Sequence, residues 1–147
     1  MFLRNPCCFI IHFLLNQGSS TRLLLLPSFV EKKRELLFFK VYFKDFYEKQ
    51  TWKVQKKILW TLKVVETLDK IPEIYFKYLE NTDGLYEIRV QSGSNIFRIF
   101  CFFDADHLVV VVHGFQKETQ KTPPGEIERA KKIKKEYYEE KKFDKPR

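Results

Sequence analysis

A chain of 147 residues, 44% apolar and 16% aromatic, fits one domain and is too rich in core-forming side chains to be disordered, although 31% of it is charged. Lys and Arg outnumber Asp and Glu by 27 to 19. The formal charge of +8 suits a polyanionic partner (nucleic acid, ribosome, an acidic protein or anionic lipid) as readily as it suits plain solubility. Cys7 and Cys8 are adjacent and Cys101 sits in an apolar run; this makes no disulfide framework and reads as the reduced thiols of a cytoplasmic protein.

Residues 1–30 contain Arg4 and Arg22 but no Asp or Glu. Their apolar runs, Cys7–Leu15 and Leu23–Leu26, fall short of the roughly 18 residues a membrane span needs, so no membrane attachment is expected. A signal-peptide reading would use Arg4 and Phe9–Leu15, but His12 interrupts the run and no small-x-small site follows in Asn16–Ser20. The preferred expectation is a non-native or disordered extension from a start assigned too far upstream. Met1 is the only methionine, so a start near Val30 would use a non-ATG codon. The domain proper is then 31–147.

Glu35–Tyr42 is short and apolar and suits a first strand, overlapped by a helix from about Val41 to Glu48. Thr51 can cap a second helix, in which Val54, Ile58, Leu62, Val65 and Leu68 recur at helical spacing until Ile71-Pro72. A short helical turn is expected over Glu73–Leu79. Three strands follow, Leu85–Gln91, Ile96–Phe103 and Leu108–Phe115. The turns Ser92-Gly93-Ser94-Asn95 and Asp104-Ala105-Asp106-His107 make them an antiparallel meander. Thr122 can cap a last helix, Pro123–Lys141, whose apolar face of Ile127, Ala130, Ile133 and Tyr137 is narrow enough for loose docking or for a partner.

Centring the two turns on Gly93-Ser94 and Ala105-Asp106 sets a register. Arg89 then lies opposite Arg98, and Arg98 opposite His113, forming a cationic row across three strands. Alternation puts Glu87, Phe100, Val111, Leu85, Phe102 and Val109 on the same face. Tyr86, Ile88, Val90, Phe97, Ile99, Cys101, Val110 and Val112 form the opposite, apolar face, expected to lie under the helices, with Cys101 an inert core thiol. Opposed like charges cost up to about 1 kcal/mol. A phosphate ligand would account for the row; so would neutralisation by Glu87 with the long stems splayed to solvent.

Gln116, Lys117, Gln120 and Lys121 are donors just past the last strand and would add positive charge around a scissile phosphate. Arg98 is the candidate for stabilising a phosphorane-like transition state, with Arg89 and Lys117 beside it. His113 is a candidate acid or base, or a structural histidine. Lys53, Lys56 and Lys57, and Lys131, Lys132, Lys134 and Lys135, could follow phosphates or form solvated helix faces. There is no glycine-rich phosphate loop and no dinucleotide fingerprint. No cofactor and no metal are expected. Cys7, Cys8 and His12 lie in the doubtful extension, and Asp104 and Asp106 are better explained as turn formers. The chemistry indicated is metal-independent, with the RNA's own 2′-hydroxyl attacking the adjacent phosphorus.

Leu85–Arg89, Phe97–Phe103, the pair Gly114-Phe115 and the run Thr119–Pro123 together resemble the phage-derived, HigB-like branch of the RelE/ParE toxin superfamily. The resemblance covers 31–141 and not residues 1–30. It implies an α+β fold: a small antiparallel-rich, RelE-like sheet with two N-terminal helices packed on one face and a C-terminal helix. It also implies a type II toxin–antitoxin toxin, a ribosome-dependent mRNA endoribonuclease held in check by a helix-turn-helix antitoxin. Arg98 matches the strand arginine that contacts the scissile phosphate, Arg89 its neighbour, and Lys117 and Lys121 the basic run after the Gly-Phe pair. Glu118 departs from the pattern, where a second lysine is common. Members differ in their acid and base residues, which leaves His113 open. The alternatives are a ParE-like DNA gyrase inhibitor and an inactive module that binds nucleic acid or a partner.

Overall fold

The computed structural model describes residues 31–143, and the expectations for residues 1–30 lie outside them. Strand β1 (Glu35–Phe38) leads into helices α1 (Tyr42–Glu48) and α2 (Trp52–Thr67). Strands β2 (Phe76–Tyr78), β3 (Leu85–Ser92), β4 (Asn95–Ala105) and β5 (Leu108–Lys117) follow, and helix α3 (Pro124–Phe143) closes the order. The fold is α+β, a five-stranded mixed sheet in the order β1-β5-β4-β3-β2. The β3-β4-β5 meander is antiparallel, and β1 adds in parallel beside β5.

The local sequence explains most boundaries. β1 is shorter than its apolar run because Lys40 takes a left-handed conformation (φ 52°), turning the chain into α1. α2 buries Val54, Ile58, Thr61, Leu62 and Val65, the stripe its periodicity announces. It ends where Leu68 becomes extended, ahead of Pro72. The Arg34 guanidinium donates to the carbonyls of Val65, Leu68 and Asp69, satisfying acceptors that the last helical turn leaves open. α3 begins one residue later than expected, with Pro124 in the first helical position.

The segment expected as a helical turn at Glu73–Leu79 is instead a turn followed by β2. Tyr75 N–H donates to Pro72 O, and Phe76–Tyr78 then pair with Tyr86–Ile88. Aromatic contacts decide it. Phe76 stacks on Tyr86 at 5.0 Å and meets Phe103 edge-on at 6.1 Å, cross-strand contacts worth about 0.5–1.5 kcal/mol each beyond the area they bury.

Both faces of the sheet are covered. α1 lies against β5 and α2 against β3, burying Phe43, Tyr47, Val54, Ile58, Leu62 and Val65 over Ile88, Val90, Phe97, Ile99 and Cys101. The other face was expected to be open. α3 crosses part of it, laying Ala130, Ile133 and Tyr137 over Leu85, Phe100, Phe102, Val110 and Val112. Each large apolar side chain so covered contributes about 1.5–3 kcal/mol, enough to hold a helix whose apolar stripe is narrow. Asp104 is used here too: it accepts hydrogen bonds from Tyr137 and Lys141 of α3.

Candidate functional site

Gly93, with φ 63°, makes the tight β3–β4 turn, and Ser92 pairs with Asn95. The ladder that follows places Arg89 opposite Arg98 and Glu87 opposite Phe100. Because side chains alternate, Glu87, Arg89 and Arg98 rise from one face, past the part that α3 covers. The Glu87 carboxylate is nearly enclosed (3% exposed). Its Oε1 lies 2.8 Å from Arg89 Nε and 3.5 Å from Arg98 Nε. Arg98 also donates from Nη1 to the Phe97 carbonyl at 3.0 Å.

The β4–β5 register differs from the expected one. Ile99 pairs with Gly114, but Cys101 pairs with Val111, so Val112 and His113 together oppose Phe100. This bulge places Phe115, not His113, across from Arg98. A second irregularity between Phe103 and Ala105 absorbs an extra residue in β4. The three-membered row Arg89–Arg98–His113 therefore does not form. His113 is 1% exposed beside Phe100, with ring centroids 5.4 Å apart, and its Nε2 lies 2.8 Å from Glu126 Oε2 of α3. Burial is the main influence holding its pKa below the ordinary value; the Glu126 hydrogen bond opposes this and the Arg129 charge adds to it.

What the bulge removes from the row, Lys117 replaces. Lys117 pairs with Ile96 and shares the arginine face. Burial lowers its pKa first and the Arg98 charge second, while Glu87 pulls it partly back. Burial likewise lowers the pKa of Arg98, with Glu87 opposing and Arg89 adding. Three cations against one carboxylate leave a formal surplus of two positive charges on a desolvated patch. That charge balance suits an anion. Gln116 pairs with Phe97, so it belongs to the opposite face, where its amide meets the Asn95 side chain at 3.5 Å. Gln120 and Lys121 are exposed on the β5–α3 connection. Cys101 is fully buried and burial raises its pKa, as an inert core thiol requires.

Arg89 and Arg98 also line a cleft of about 540 Å³ with Lys57, Thr61, Ile74 and Tyr75. β2 opens it: that strand pairs β3 only over Tyr86–Ile88, and among the described residues Val90–Ser92 have no strand neighbour on that side. Tyr75 and Ile74 gave no signal in the sequence, where they fell in an expected helical turn. Glu126, the partner of His113, was equally silent, because only the fold brings α3 against the bulge. Among the described residues, no group of three or more His, Cys, Asp or Glu side chains could hold a metal ion. No helix among them is long and apolar enough to cross a membrane.

A family model described as phage-derived protein Gp49-like (DUF891) matches residues 45–135, which include all of Glu87, Arg89, Arg98 and Lys117. The chain belongs to this family. No curated protein matches it significantly. The Gp49-like family is linked to the RelE-like toxins of toxin–antitoxin systems, and the α+β architecture of this Gp49-like chain is consistent with a RelE-like fold. Such a toxin has an antitoxin as its expected partner.

Proposed function

We propose that this Gp49-like chain is a HigB-like type II toxin: a cytoplasmic, metal-independent endoribonuclease that cuts mRNA on the ribosome until a helix-turn-helix antitoxin neutralises it. The observation that carries this reading is the Arg89–Arg98–Lys117 cluster, held on one face by Glu87. Arg98 and Arg89 take the non-bridging oxygens of the scissile phosphate. The 2′-hydroxyl oxygen attacks the neighbouring phosphorus as its proton passes to solvent, and the bond to the 5′-oxygen breaks. The two guanidinium groups offset the charge that builds on the phosphorane, and Lys117 protonates the departing 5′-oxygen. Glu87 restrains both arginines and offsets part of their charge. His113, tied to Glu126, takes no part in this scheme, and Gln120 and Lys121 contact phosphates further along the message.

The test is induction of the full chain in growing cells, with cleavage sites mapped by primer extension on translated messages. Arrested growth with cut mRNA is expected. Arg98→Ala should lower cleavage by about a hundred- to thousandfold, the usual cost of removing one preorganised transition-state donor. Growth arrest with intact mRNA would point to a gyrase inhibitor instead, and no arrest at all to a binding module.

A further inference from the structure

The cleft beside the arginines has two chemically different walls. Arg89 and Arg98 form one. The other carries Tyr75, with Lys57 nearby on α2. Tyr75 is fixed in place: its carbonyl accepts the Arg89 N–H at 2.8 Å, and Trp60 stands edge-on to its ring at 5.4 Å. Ile74, which lines the cleft, is 67% exposed, and Trp60, behind Tyr75, is 47% exposed, an unusual amount of apolar surface to leave around a cationic cleft. Lys57 Nζ sits 4.2 Å from the Trp60 ring centroid. Glu73 precedes the cleft-lining Ile74; its pKa is lowered mainly by its hydrogen bond from Lys77, with a smaller contribution from Arg89.

Cations next to a rigid aromatic wall match the two halves of a nucleotide, and about 540 Å³ falls within the roughly 300–1,000 Å³ of small-ligand sites. We infer that the Tyr75 wall, buttressed by Trp60, is a base-stacking subsite for the single-stranded nucleotide whose phosphate Arg89 and Arg98 hold. The inference rests on the endoribonuclease reading and adds to it the position of a base. Stacking on an aromatic ring is sequence-tolerant, because every base presents a π face. The subsite therefore holds a splayed base in place and reads little of its identity. An acidic peptide would match the cations but gives no account of the aromatic wall.

The test uses the full chain with Trp52→Phe, which leaves Trp60 as the only tryptophan. The probe is a 2′-O-methyl RNA pentamer, which cannot be cut because it has no 2′-hydroxyl. Expected is quenching of Trp60 fluorescence on titration, with affinity about tenfold lower for Tyr75→Leu and nearly unchanged for Tyr75→Phe. An abasic pentamer of equal charge should bind about tenfold more weakly and leave the fluorescence unquenched. Equal binding of the abasic and base-bearing probes would overturn the subsite, and so would an acidic peptide that outcompetes the RNA for the cleft. The mRNA cleavage map separates the two claims: cutting without base-dependent quenching sinks the subsite alone, whereas base-dependent quenching without cutting supports the subsite and sinks the endoribonuclease.

Discussion

His113 Nε2 lies 2.8 Å from Glu126 Oε2, tying the bulge in β5 to the first turn of α3. The neutral Nε2–H tautomer suits this contact, with the ring nitrogen donating to the carboxylate. Nδ1 is buried with no hydrogen-bond partner among the described residues, so a second proton would have nowhere to point. The folded-state pKa consequently lies below the ordinary 6.5, and the unfolded chain binds the proton more readily. Stability is therefore complete above about pH 6.5 and falls as the pH drops beneath it towards the folded pKa. Urea midpoints measured from pH 5 to 7.5 should show that decline, and His113→Gln should flatten it. An unchanged slope in His113→Gln would assign the decline to other groups.

Gly114 faces α1 with almost no clearance: a Cβ at this position would fall inside the contact radius of three Phe46 ring carbons. Phe46 also packs on Phe97, at 6.3 Å between centroids, and cannot swing aside freely. Gly114→Ala should cost about 1–3 kcal/mol as overpacking. Shrinking the ring with Phe46→Leu should recover part of that loss, so the double-mutant cycle should give a favourable coupling. Additive effects in denaturant melts would show that α1 yields without resistance.

The glycine of the Gly-Phe pair was legible as a motif long before its cause was. The β3–β4 hairpin was fully legible, because Ser92-Gly93-Ser94-Asn95 fixes its register by turn chemistry, and Arg89 opposite Arg98 follows from that. The β4–β5 pairing was not. A bulge at Val112-His113 carries no residue-type signal, and a shift of one or two positions moved His113 out of the row and brought Lys117 in. Leu85, Phe100 and Phe102 lie on the face expected to be open, and their apolar side chains are what α3 covers. β2, three residues long, had too few side chains to show a strand period.

Glu87 sits between two guanidinium groups that face each other across the ladder. Glu87→Gln removes its charge and leaves the shape. The arginine pair is then unscreened, at a cost of up to about 1 kcal/mol, and loss of a largely buried ionic contact adds to this. Stability should fall by roughly 1–3 kcal/mol in urea. The cluster's surplus meanwhile rises by one charge, so binding of the 2′-O-methyl pentamer at low salt should tighten and its salt dependence should steepen. Weaker binding with lost stability would mean that the arginines depend on Glu87 for their aim rather than being restrained by it.

Lys117 is the group in the cluster whose proton is easiest to remove, since burial and the Arg98 charge both depress its pKa. As the proposed proton donor to the leaving oxygen it would act when charged, so cleavage should be constant at neutral pH and fall as the pH climbs through that depressed value. Arg keeps its charge at any pH the ribosome tolerates. Lys117→Arg should therefore retain phosphate binding, lose most of the rate because arginine is a poor proton donor, and abolish the alkaline fall in whatever rate remains. Lys117→Met should lose both rate and binding. The decisive comparison is the rate against pH for wild type and Lys117→Arg on the same translated message. A fall at the same pH in both would place the titrating group elsewhere and leave Lys117 as a phosphate contact alone.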